Sequence, residues 1–388
     1  MHHLIKNPIP FLFLMMLPYT NIAQKATSNC IEWQVAAILP PQKNDAKALG
    51  VAGALIGVTN QVLLVGGGAN FPEGMPWHGG KKKYHDLVYV FGATGKGMGF
   101  LKSCTLPFHT AYGASTSTPQ GVVYAGGENE QGTSNRVLLV QWNDAAQTIV
   151  VNELPPLPLA VSNLSITSDE HTIYVAGGEI TDRVSAQFLS LDLDQLSSGW
   201  KTLPQLPKPV SHAILVVQSS GNAKNIFLIG GRKKNQNGIS DLYASVYAYD
   251  LEKQQWQEKK NLPYALSAGT GVATGLACIL LFGGDKGETF HRTETLIAAI
   301  NAEKDDVKKA ALNQQKIGVQ ANHPGFSNEL LQYNTSTNEW NRAGAIPFDV
   351  PVTTAAVMWG NGVIIPSGEV KAGIRTPEIL IGRLNSTK

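Results

Sequence analysis

The stretch Asn225-Ile226-Phe227-Leu228-Ile229-Gly230-Gly231 is an apolar run ending in paired glycines. Ser245-Val246-Tyr247-Ala248-Tyr249-Asp250 follows it, and then Trp256, six positions ahead of Leu262-Pro263. Aliphatic, β-branched and aromatic residues fill both runs, as half-buried strands require. The glycine pair permits positive φ or the close approach of a neighbouring backbone. The same order recurs along the chain. Strand-like runs end in Val65-Gly66-Gly67, Ala125-Gly126-Gly127, Ala176-Gly177-Gly178, Ile229-Gly230-Gly231, Phe282-Gly283-Gly284 and Pro366-Ser367-Gly368. A large apolar residue stands six positions before an apolar-proline pair at Trp33, Phe100, Val151, Trp200, Trp256 and Trp340.

Six copies of each landmark, roughly fifty residues apart with room for four strands in each, predict an all-β, six-bladed β-propeller of the Kelch type over residues 30–388. The chain opens on a Trp-type strand and its last copy lacks one, so the strand around Trp33 is expected to pair with the last blade and close the ring. That closure removes two exposed sheet edges. A single blade leaves its faces uncovered, so stability should belong to the closed ring. Trp33, Trp200, Trp256 and Trp340 are read as packing between blades, and the prolines as turn formers.

Composition agrees with strands. Charged residues make up 15% of the 388, with 39 glycines and 21 prolines, which suits short strands and tight turns better than long amphipathic helices. A net charge of +2 supplies no broad positive field for nucleic acid. His2, His3 and Lys6, then an apolar run at 9–17 and small residues including Ala23, have the layout of a secretory signal peptide over residues 1–23. The expected location is periplasmic or secreted, with no membrane insertion after cleavage. Cys30, Cys104 and Cys278 are too few and too scattered for a disulfide framework or a metal knuckle. Cys104 and Cys278 are read as small packed residues, and no metal and no cofactor is expected.

Two insertions exceed what blades need: residues 70–83 in the first blade, and residues 291–327 in the fifth, with helix-like segments around 294–300 and 305–315. Long insertions at a propeller rim are where function concentrates. The residues just past the small-residue pairs, Asn70, Glu128, Glu179, Arg232, Asp285 and Glu369, should point to one rim. Most would serve there as partners for backbone groups and adjacent blades. His109 and His212 fall near the starts of inner strands, where packing or hydrogen bonding is their ordinary use. In the last blade, Gly368-Glu369-Val370-Lys371-Ala372-Gly373-Ile374-Arg375-Thr376 places a turn-forming glycine between a carboxylate and a guanidinium. Such pairs across turns are commonly surface ion pairs of small worth.

This last run resembles the Gly-Glu, Lys, Gly, Arg-Thr segment of the sialic acid mutarotase (N-acetylneuraminate epimerase) family. The likeness extends to Gly67-Gly68-Ala69 with Phe71 and the Lys-containing insertion, to Leu106-Pro107 with Ala111-Tyr112-Gly113, to Gly126-Gly127-Glu128, and to the helical insertion. The Glu-Arg blade is mid-chain in enterobacterial members and last here, so the sequence is similar to a cyclically permuted mutarotase, a change that a closed ring tolerates. The resemblance implies interconversion of the α and β anomers of N-acetylneuraminate by general acid-base opening and closing of the hemiketal, without metal or organic cofactor. It implies Glu369 and Arg375 as catalytic residues: Glu369 accepts the proton, and Arg375 orients it or binds the sugar carboxylate as a guanidinium fork. Arginine beside a carboxylate weakens that carboxylate as a base unless burial or the substrate's own charge offsets the effect. Asn70, Glu128, Arg232 and Lys81, with Lys82 as the alternative lysine, are the expected substrate contacts. The implied partner is a small sugar acid, and oligomeric state is left open.

Two other classes fit a propeller. A non-catalytic periplasmic ring binding a glycan or protein would share every landmark. A copper oxidase on such a ring would need clustered His and Tyr ligands, which the sequence lacks.

Overall fold

The computed structural model describes residues 31–42, 47–95, 97–221, 223–236 and 238–384. The expected leader at 1–23 and Cys30 lie outside them. Among the described residues, six antiparallel sheets of four or five strands follow one another around an axis, with three two-stranded ribbons beside them. From the axis outward, the fourth blade is Ile214–Ser220, Ala223–Ile229, Val246–Asp250 and Gln255–Lys259, and it represents the rest. In the sixth blade the outermost strand is Ile31–Ile38, paired antiparallel with Ile374–Leu384, so the first described strand closes the ring. The second strand of each blade, counted from the axis, is buried on both faces over most of its length. Apolar clusters lie between blades: Phe227 and Ile229 of the fourth pack with Ile279, Leu281 and Tyr333 of the fifth.

The landmarks prove to be the stitches of this ring. The indole N–H groups of Trp200, Trp256 and Trp340 donate to Pro155 O, Pro204 O and Lys260 O, each in the outer turn of the preceding blade, at 2.8, 3.2 and 2.9 Å. Gly127 N and Gly178 N donate to Val161 O and Val210 O of the following blade, both at 2.8 Å. A Cβ on Gly177, at φ +64°, would stand 2.0 Å from Val210 O, so only glycine admits that approach. The first blade corrects the sequence reading: its positive-φ pair is Gly67-Gly68, not Gly66-Gly67.

The sixth blade carries Ser367 where the others carry glycine. Its hydroxyl accepts from Val51 N at 2.9 Å and faces Val51 O at 2.9 Å and Thr376 O at 2.7 Å, fully buried at the seam with the first blade. Ser367→Ala keeps the backbone demand and orphans these groups, so it is expected to cost about 1–3 kcal/mol. Thermal or denaturant unfolding measures this; an unchanged midpoint would show that the seam does not depend on the hydroxyl.

Between the second and third strands of the fifth blade the chain forms α1 (Glu288–Ala302) and α2 (Asp306–Ala321), an antiparallel pair with no fully buried residue. Asp305 caps α2 by accepting from Val307 N and Lys308 N. No helix among the described residues is long and apolar enough to cross a membrane.

Candidate functional site

At the start of each inner strand one residue adopts a left-handed conformation: Gly53, Tyr112, Asn163, His212, Ala268 and Thr353. The N–H of each donates to the carbonyl of its counterpart in the preceding blade, and Gly53 N completes the circle on Thr353 O, at distances from 2.7 to 3.3 Å. All six collar residues line an axial channel of about 440 Å³, and all but Gly53 also line a rim cavity of about 510 Å³.

The residue after each small pair feeds the rim cavity because it bridges back to its own inner strand, as Glu128 does to Ala111, Glu179 to Ser162, Arg232 to Ser211, Asp285 to Ser267 and Glu369 to Val352. In the first blade the pairing is Ala52 with Ala69. Asn70 is therefore one residue too far and lies on the other side of the strand. It is 3% exposed, donates to Gly50 O at 2.9 Å and meets His85 Nε2 at 2.9 Å, away from the cavity. Lys81 is exposed and does not line the cavity, whereas Lys82 does. Lys82 Nζ is 3.0 Å from Glu128 Oε1 and 4.6 Å from the Tyr112 ring centroid. Burial opposes its charge, but Tyr112 and Glu128 outweigh burial and raise its pKa.

Glu369 and Arg375 are direct cross-strand partners around a turn in which Gly373 has φ +71°. Arg375 Nη2 stands 3.6 Å from Glu369 Oε2 and donates to Tyr112 OH at 3.4 Å. Gly373 N donates to Glu369 Oε1 at 2.8 Å. The guanidinium lies over the Phe71 ring at 4.7 Å, which gives the first insertion a use that its sequence alone could not reveal. The Arg375 side chain is 4% exposed, and its Nε and Nη1 have no hydrogen-bond partner among the described residues. A buried guanidinium with unused donors is costly unless an anion completes it.

Across the ring a second acid-base cluster stands in the same cavity. Glu179 accepts from Ser211 Oγ at 2.9 Å and Asn163 Nδ2 at 3.0 Å, with Arg232 Nη2 at 3.8 Å. Arg232 also donates to His212 Nε2 at 3.3 Å, which leaves the His212 proton on Nδ1, toward Glu179 Oε1 at 3.5 Å. Burial and the adjacent Arg232 push the His212 pKa down to about 3, against the pull of Glu179. Burial also opposes ionisation of Glu179, yet the Arg232 charge and the hydrogen bonds from Ser211 and Asn163 hold its carboxyl below the usual range.

The unfolded chain thus binds a proton that folded His212 refuses between about pH 6.5 and about pH 3, and stability falls as pH drops through that window. Unfolding midpoints measured on descending pH should show it. His212→Asn, which tolerates the positive φ, should flatten the fall; an identical slope would locate the acid sensitivity elsewhere.

The helical insertion lines the cavity with residues that the sequence alone does not single out, among them Phe290, His323 and Phe326. His323 Nδ1 accepts from Gly325 N at 3.0 Å, which places its proton on Nε2, and burial lowers its pKa. His109 sits instead near the outer rim, 3.1 Å from Glu130. Among the described residues no group of three or more His, Cys, Asp or Glu is placed to hold a metal ion.

A family model described as N-acetylneuraminate epimerase matches residues 154–388, a stretch that contains both acid-base clusters. The N-acetylneuraminate epimerase of Haemophilus influenzae is 26% identical over 235 residues, 60% of each chain. That of Brucella melitensis is 25% identical over 246 residues, 62% of this chain and 61% of its own. That of Salmonella typhimurium is 26% identical over 229 residues, 58% and 57%. The chain therefore spans about three fifths of the length of the curated relatives it matches.

Proposed function

We propose that this chain, which belongs to the N-acetylneuraminate epimerase family, interconverts the α and β anomers of N-acetylneuraminate, with Glu369 moving the proton and Arg375 holding the sugar carboxylate. The supporting observation is Arg375 in the wall of the rim cavity, its Nη2 3.6 Å from Glu369 Oε2 and its buried Nε and Nη1 without hydrogen-bond partners among the described residues. A planar guanidinium matches a carboxylate in shape and charge. In this sugar the carboxyl carbon is attached to the anomeric carbon, so gripping the one positions the other over Glu369.

In the opening step Glu369 takes the proton of the anomeric hydroxyl, the electron pair forms the ketone, and the bond from the anomeric carbon to the ring oxygen breaks as the protonated Glu369 carboxyl gives a proton to that oxygen, which leaves Glu369 ionised again. Reclosure on the opposite face reverses each transfer and yields the other anomer, with no net change of atoms or charge. Positioned proton transfer of this kind typically contributes about 10²- to 10⁴-fold.

The test is anomer exchange of N-acetylneuraminate followed by NMR with purified protein. Exchange well above the buffer rate supports the reading. Binding of the sugar with exchange at the buffer rate would leave a non-catalytic glycan-binding ring.

A further inference from the structure

The rim cavity has two poles of like construction. In a closed ring of six, the third blade faces the sixth across the axis. At the sixth, Arg375 lies on Phe71 beside Glu369; opposite, Arg232 lies on Phe290 of α1 at 4.5 Å, beside Glu179 of the third blade. The poles differ in charge balance. Arg375 has buried nitrogens with no hydrogen-bond partner among the described residues, whereas Arg232 is already engaged by Glu179 and His212. The anionic group of a ligand therefore belongs at the sixth blade, and an uncharged polar group at the third.

We propose that the Glu179, Arg232 and Phe290 cluster is a recognition site for an acetamido group, with Glu179 accepting its N–H, Arg232 donating to its carbonyl and Phe290 covering its methyl. This assignment rests on the mutarotase reading. In the pyranose ring of N-acetylneuraminate the anomeric carbon and the acetamido-bearing carbon occupy opposite corners. A ring whose anomeric end sits over Glu369 and Arg375 directs its acetamido group toward the third blade. An amide needs one acceptor, one donor and an apolar shelf; the cluster supplies an ionised carboxylate, a guanidinium and a phenyl ring. A hydroxyl in place of the amide would satisfy one polar group at most and leave the Phe290 face bare, so it should be bound less well.

The experiment compares N-acetylneuraminate with its analogue bearing a hydroxyl in place of the acetamido group, by NMR exchange in the wild type, Phe290→Ala and Arg232→Ala. The expected wild-type preference in kcat/KM is about ten- to hundredfold for the acetamido sugar. Each variant should shrink that preference at least severalfold, through a raised KM for the acetamido sugar. Equal wild-type use of both sugars, or variants that keep the full preference, would overturn the assignment while the mutarotase reading stands. Exchange of neither sugar removes the mutarotase reading. Calorimetric titration of the same two sugars then decides the pocket: equal affinities overturn it, and a preference lost in Phe290→Ala upholds it.

Discussion

Glu369→Gln is expected to lower kcat for anomer exchange by about 10²- to 10⁴-fold, the range that one positioned acid-base group supplies. The substitution is close to isosteric. The amide oxygen can still accept from Gly373 N, the bond that now measures 2.8 Å, so the turn that carries Arg375 on its other strand should survive. What disappears is the lone pair able to take the anomeric proton and return it. A negative charge beside the substrate carboxylate disappears as well, so affinity should hold or improve, and the loss should appear in kcat with KM unchanged or reduced. NMR exchange over a range of sugar concentrations separates the two parameters. A variant that exchanges anomers at the wild-type rate would take the proton-transfer role away from Glu369.

The six-fold order was legible because the blades meet the same contact with similar residues. In the third, fourth and fifth blades an indole reaches back to the preceding blade, and glycine pairs such as Gly126-Gly127 and Gly177-Gly178 receive the following one, so composition and spacing repeat with the geometry. The site was legible where a single hairpin makes it. Gly373 returns the strand and sets Glu369 opposite Arg375, a local matter that sequence encodes. Legibility failed where one residue of register decides a face. Gly66-Gly67-Gly68 allows two readings of the pair; the positive-φ pair is the later one, so the position equivalent to Glu128 and Glu369 is Ala69, and Asn70 falls one residue beyond it. Three lysines in a row pose the same difficulty, and Lys82 rather than Lys81 lines the cavity. Phe290 and His323 were out of reach for another reason. Helices can be read from their composition, but the side of the ring onto which α1 and α2 fold is fixed by tertiary contacts such as Ser240 Oγ to Glu294 Oε1 at 2.7 Å.

Arg375→Ala should move activity and stability in opposite directions, and that pairing distinguishes a ligand-binding guanidinium from a structural one. Removing one partner of a desolvated, hydrogen-bonded charge pair costs about 2–5 kcal/mol of binding, or a loss of about thirty- to several-thousandfold in kcat/KM. Arg375→Lys should recover only part of it, because an ammonium offers no fork and loses the planar contact with Phe71 at 4.7 Å. Without sugar, the buried Nε and Nη1 are a standing cost, since they gave up water for no partner among the described residues. Truncation relieves that cost, so the unliganded variant should unfold at the same temperature as the wild type or higher, as when a strained functional site is relaxed. Saturating N-acetylneuraminate should then raise the wild-type midpoint by mass action and leave Arg375→Ala nearly unmoved. A variant that is clearly destabilised yet still exchanges anomers at the wild-type rate would make the guanidinium a strut of the sixth blade, and the sugar carboxylate would need another cation.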